Sequence, residues 1–125
     1  MKVNPHTGRD VLDRGTVRLS DEEIRAVLTL RGFPDVDKAL AIVKRESGGW
    51  ASAVVDTSGM TAVELRAYWG PGGAIAPEIS VGLFQINTLA HPQYDAAALK
   101  DPHLNADAAF ALSQGGTSWQ PWGGS

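Results

Sequence analysis

A mainly α-helical fold is predicted for this chain from three observations. Two early runs carry paired helix-start and helix-stop signals, a late run of small apolar residues ends in a glycine pair, and one compact apolar stretch is the main strand candidate. With 125 residues, the chain is long enough for one domain with its own core and no covalent staple. It has no cysteine, and its 43% hydrophobic and 20% charged residues are those of a globular protein. No repeat or low-complexity linker divides it.

Residues 1–18 mix Gly, Pro, Asn and alternating charges without periodicity. They read as an irregular, partly disordered N-terminal arm suited to docking, ahead of a single domain at 19–125. The first helix starts after Ser20, whose hydroxyl and Glu23 have capping-box spacing, with Leu19 and Ile24 placed to form a hydrophobic staple. Ile24, Val27 and Leu28 supply its apolar face, and Gly32 and Pro34 end it. A second helix is expected from about Asp35 to Ser47. Val36, Ala39, Leu40 and Val43 form its stripe, and Gly48 and Gly49 stop it. Thr61 and Glu64 repeat the capping-box spacing before a short helix, and Gly70–Glu78 reads as a loop. Ser80–Asn87, the run SVGLFQIN, fits a strand or the start of a buried helix. Residues 95–102 suggest a helical turn. The run NADAAFALSQGG is a helix with Asn105 as its expected cap.

The formal charge of −3 and a pI near 5.5 argue against nucleic acid as a partner, since that binding rests on Lys and Arg neutralising phosphates. They also predict no strong steering toward an anionic cell wall. The first residues have no apolar segment, so no signal peptide is expected. The apolar runs fall well short of the roughly 20 residues that cross a bilayer, so no membrane insertion is expected. His6, His91 and His103 have no companions at metal-ligand spacing and read as surface residues. No metal, cofactor or phosphate-loop site is assigned.

Helical steps from Ala39 through Ile42 and Val43 reach Glu46, a carboxylate on the last turn beside the inward face. There the negative end of the helix dipole and partial burial both disfavour its ionised form. Protonating a glycosidic oxygen near neutral pH requires an acid of this kind.

The segment RESGGW (Arg45–Trp50), followed by SVGLFQIN, resembles the paired motifs of lysozyme-like lytic transglycosylases. DPHLNADAAFALSQGG with TSWQPWG resembles the C-terminal helix of phage wall-degrading domains in that superfamily. The likeness covers roughly residues 35–123. It implies a lysozyme-like fold, helical with a small irregular or β-containing segment beside a glycan-binding cleft. Glu46 then matches the catalytic glutamate and Gln85 the cleft glutamine, while Gly82 lets the backbone pass close to the sugar. Ser80 and Asn87 are candidates for orienting sugar groups or the glutamate, and for Ser80, Gly82 and Asn87 a purely structural role is equally open. Tyr68 and Trp69 are stacking candidates beside the loop, and Trp50 is read as structural. Trp119 and Trp122 fit cleft and core equally.

The resemblance favours a lytic transglycosylase that cleaves the MurNAc–GlcNAc β-1,4 bond with one glutamate and forms 1,6-anhydro-MurNAc. A hydrolase needs a second carboxylate about 5–5.5 Å or 6.5–9.5 Å away. Asp56 is the first candidate for it, with Glu64 and Glu78 behind. The chain departs from the family pattern in two places. FALSQGG lacks the late-helix tyrosine of many transglycosylases, and an extra loop at about Thr57–Ile79 stands where it could lid the cleft. The likeness to phage domains implies a virion-associated tail lysin or an endolysin, working at the tail tip or on the cell wall, with peptidoglycan strands and tail proteins as partners. A non-catalytic wall-binding or tail module is the alternative from another class, and a generic helical adaptor would leave the motifs unexplained.

Overall fold

The structure, a computed structural model, describes residues 3–123; residues 1–2 and 124–125, at the outer ends of the expected arm and domain, lie outside the described residues. Helix α1 (Asp21–Leu30) opens with the predicted capping box. The Ser20 hydroxyl accepts from Glu23 N–H, and the Glu23 carboxylate accepts from Ser20 N–H. Helix α2 (Val36–Glu46) is capped by Asp35 and ends at Ser47. Ile24, Val27 and Leu28 of α1 pack with Ala39, Leu40, Ile42 and Val43 of α2 in one buried core. Helix α3 (Ala62–Trp69) carries the second capping box, from Thr61 and Glu64.

Four short strands form one antiparallel sheet in the order β1 (Leu12–Asp13), β2 (Val54–Asp56), β3 (Ile79–Val81) and β4 (Ile86–Asn87). SVGLFQIN therefore folds as a hairpin, with Ser80 opposite Asn87 and Val81 opposite Ile86. Its apolar residues Val81, Leu83, Phe84 and Ile86 all enter the core. The fold is thus mainly α with a small β segment.

The segment read as an arm is irregular along most of its length but does not stand apart. It supplies β1, and Val11 is fully buried. Buried Asn4 donates to the carbonyls of Asp56 and Ser58. Arg18 bridges to Trp50 as an isolated strand pair.

The last helix, α4 (Pro102–Leu112), corrects one expectation. Its cap is Asp101, which accepts from His103 and Leu104 N–H and is followed by proline at the first helical position. That Asp-Pro pair is the stronger start signal, because proline lacks an N–H that would be orphaned there in any case. Asn105 lies inside the helix and is fully buried.

Candidate functional site

Glu46 ends α2, where the chain turns away through Gly48 and Gly49, both with positive φ. The turn is braced by Ser47: its hydroxyl donates to Val43 O and accepts from Gly49 N–H. Leu19 N–H then donates to Gly49 O and ties the turn to the root of α1. The Glu46 side chain remains 28% exposed, and one carboxylate oxygen accepts from Arg45 Nε at 3.1 Å. Arg45 also donates through Nη2 to the Trp122 carbonyl.

Two cavities meet at this carboxylate. The larger, of about 910 Å³, runs past Ser80, Gln85 and Asn87 of the hairpin, with Glu78 and the preceding loop as one wall and Trp122 at one end. The smaller, of about 370 Å³, lies between the end of α2, β1 and β2. Glu46 and Gln85 line both, so they stand at the junction of two adjoining cavities.

Gln85 is held in place by its surroundings. Its φ of 51° is left-handed, a conformation costing a non-glycine residue about 1–3 kcal/mol and persisting only where neighbours over-determine it. Its Nε2 donates to Ala53 O and Gly82 O, both at 3.1 Å. The turn before it is pinned from beneath by Asn105. Phe84 N–H donates to Asn105 Oδ1 at 2.9 Å, and Asn105 Nδ2 donates to Val81 O and Leu99 O at 2.8 and 2.9 Å. Sequence reading missed this role. The available signal was an asparagine among alanines, a poor helix former whose burial demands partners.

The same contact gives Gly82 a structural reason of its own. Its φ is +80°, and a Cβ there would lie 2.2 Å from Asn105 Nδ2 and 2.4 Å from Leu99 O. The close approach is to the interior.

The other candidates divide. Ser80 is buried and donates to Glu78 Oε1 at 2.6 Å. Asn87 Oδ1 accepts from Ile79 and Leu89 N–H, which fixes the hairpin's end. Both line the larger cavity with Glu46. Glu78 is placed by buried Thr57, whose N–H donates to Glu78 O and whose hydroxyl accepts from Glu78 N–H. His91, read as a surface residue, lines this cavity too.

Asp56 does not join them. It lines a separate cavity beside Arg9 and Lys100, and its Oδ1 accepts from both N–H and hydroxyl of Ser58. β2 turns it to the far side of the sheet from the cleft. Tyr68 and Trp69 pack edge to face at 4.6 Å and line another cavity, with Val3, Pro5 and Met60.

Trp119 belongs to the core. It is 8% exposed and stacks near-parallel on Phe33 and Phe84 at 6.1 Å each. Trp122 is the cleft tryptophan, its Nε1 donating to Phe84 O at 2.7 Å. Among the described residues, no cluster of three His, Asp or Glu is placed to hold a metal ion, and no helix is long and apolar enough to cross a membrane.

No curated protein and no solved structure matches the chain. The family of the lysozyme-like domain matches residues 31–124, a span that takes in α2, the hairpin, α4 and the Trp122 segment. The matched span includes both the helix that ends in Glu46 and the hairpin that carries Gln85, and the chain belongs to the lysozyme-like domain family.

Proposed function

We propose that this chain is a peptidoglycan lytic transglycosylase that cleaves the MurNAc–GlcNAc β-1,4 bond with Glu46 as its general acid and base. The family points to peptidoglycan degradation and a wall-facing site of action. The observation that carries the finer reading is the pair of cavities adjoining at Glu46, with room on both sides for sugars flanking a scissile bond. Protonated Glu46 donates its proton to the glycosidic oxygen as the C1–O bond breaks. The resulting carboxylate takes the proton of the muramic acid 6-hydroxyl as O6 bonds to C1 and closes the anhydro ring. No water is consumed. Gln85, fixed at the junction, positions the sugar across the carboxylate.

A hydrolase is the second reading, and its partner would be Glu78 in place of Asp56. Glu78 is the other carboxylate lining the cavity that Glu46 enters. The resemblance to phage wall-degrading domains supports a role as a tail-associated lysin or endolysin, with tail proteins as partners in the first case.

The test is product analysis by mass spectrometry on isolated peptidoglycan. Anhydro-muropeptides are expected from the wild type. Glu46→Gln, nearly isosteric but with no acid proton, should lose about 10²–10⁴-fold in rate with its fold intact. Products carrying an added water, abolished by Glu78→Gln, would establish the hydrolase. Binding of glycan without any product would establish a non-catalytic wall-binding module.

A further inference from the structure

The smaller cavity is lined mainly by cationic side chains among its charged residues. Of its lining residues, Arg14, Arg18 and Arg45 are cationic and Glu46 alone is anionic. The chain as a whole carries −3, so this is a local concentration of charge and not a general one. Arg45 forms an ion pair with Glu46; among the described residues no salt bridge engages Arg14 or Arg18. Arg18 also acts on Asp21, whose carboxyl is held low first by its bond to Lys44 and more weakly by Arg25 and Arg18.

The arginines are also arranged. Arg18 Nε donates to Gly48 O at 3.1 Å, and its guanidinium lies 5.8 Å from the Trp50 ring centroid. One of its five donors is thereby used and the plane is oriented. Arg14 follows β1 in a turn closed by Gly15 N–H on the Asp13 carboxylate. Pyranose rings are neutral and give the guanidinium groups of Arg14 and Arg18 no counter-charge, while Arg45 is already engaged by Glu46 and the Trp122 carbonyl. A planar guanidinium is matched to a carboxylate, and a groove lined by one sign of charge focuses that attraction.

We propose that this cavity is an anion subsite for the carboxylates of the peptide stem carried by the muramic acid bound next to Glu46. The enzyme then selects stem-bearing strands over bare ones. The inference rests on the glycan-cleaving reading for its substrate, and it is tested by binding so that the two can fail separately.

Glu46→Gln serves as a non-cleaving background for calorimetric titration with three probes. These are uncross-linked glycan fragments with peptide stems, the same fragments stripped by an amidase (which leaves the lactyl carboxylate), and the neutral GlcNAc hexamer. Stem-bearing fragments are expected to bind more tightly than either of the others. Adding Arg14→Gln and Arg18→Gln should cut that preference about tenfold, the equivalent of about 1.4 kcal/mol. It should also flatten the salt dependence of binding. Arg18→Lys keeps the charge without the fork and should lose less than Arg18→Gln. Thermal melts of each variant confirm that the fold is retained. An unchanged preference in the double variant, or a preference that survives removal of the stems, overturns the proposal. A wild type that yields no cleavage products while its stem preference stands would overturn the enzymatic reading alone.

Discussion

The cleft has two sides built on opposite principles. Its floor is the hairpin Ile79–Asn87, where Ser80, Val81, Leu83, Phe84 and Ile86 are buried and the turn is bonded to Asn105. Its wall is the loop after α3, where residues 70–77 are exposed or nearly so and Ile75 is 68% exposed. Both face Glu46 across one cavity. The floor bears Gln85, the residue proposed to position the sugar against Glu46, and its geometry is fixed several times over. The wall has few internal bonds and an apolar stretch, Ala74–Pro77, turned to the cleft. On the proposed reading, precision is concentrated where a reacting bond is held, and adaptability where substrates differ along the strand.

This division predicts large stability losses in and beneath the floor. Gly82→Ala places a methyl group within 2.4 Å of both Asn105 Nδ2 and Leu99 O at a φ of +80°. Overpacking and left-handed strain each cost about 1–3 kcal/mol, so a total of about 3 kcal/mol or more is expected in chemical denaturation. Asn105→Ala should cost a similar amount, because Phe84 N–H and two carbonyls lose their buried partner. A loss below about 1 kcal/mol in both would mean the turn is not held from below.

Gln85 offers an intermediate effect whose sign is informative. At φ 51°, glycine is the residue with no steric objection, whereas alanine keeps the strain and has no amide to hold it. Gln85→Gly is therefore expected to be about 1 kcal/mol more stable than Gln85→Ala, the reverse of their order in a helix. Both should lose cleavage, since neither reaches the junction of the two cavities. Equal stabilities would show that the strain is not stored there.

Much of the frame was legible in the sequence because helix ends are written locally. Both capping boxes, the Gly48–Gly49 stop and the position of Glu46 follow from spacings of three or four residues. The sheet was less so. Strands of two or three residues carry no period, and β1 and β2 exist only because a distant partner lies beside them. The same limit explains the site. Asp56 precedes the hairpin in sequence, but pleating decides its face, and the register against Ile79 turns it from the cleft. Asn105 looked like a cap because asparagine usually is one; its three bonds reach residues 6 to 24 positions away. Trp119 and Trp122 lie three residues apart on one tail, and only tertiary packing, with Trp119 stacked on Phe33 and Phe84 and Trp122 edge-on to Phe84, separates core from cleft.

A weaker effect is expected at the root of the wall, where α3 delivers the chain into the loop. The Glu64 carboxylate is held below its ordinary 4.5 first by Thr61 N–H and then by His6, 2.8 Å away. Folded Glu64 therefore keeps its charge at pH values where the unfolded chain has taken up a proton. Its stabilisation is present above the ordinary value and is lost as pH falls through the lower, folded one. Glu64→Gln preserves the capping geometry and removes only the charge. Melting temperatures of wild type and variant should differ above the ordinary carboxyl value of 4.5 and converge as pH falls below it. A difference that stays constant over that range would remove the charge from the account.

The smallest effect should come from the wall itself. Ile75→Ser removes a side chain that is already 68% exposed, so little buried area is lost and the stability change should stay within about 0.5 kcal/mol. Phe84→Ala, in the floor at 0% exposure, is expected to cost about 3–5 kcal/mol by the same measurement. The pair sets the scale of the contrast. Activity then separates the two sides in another way, since Ile75→Ser should alter KM among strands of different stem composition more than it alters kcat. A cost at Ile75 above about 1 kcal/mol would mean that the loop is packed like the hairpin. The wall would then be a second rigid side, and selection along the strand would have to come from the arginine-lined cavity alone.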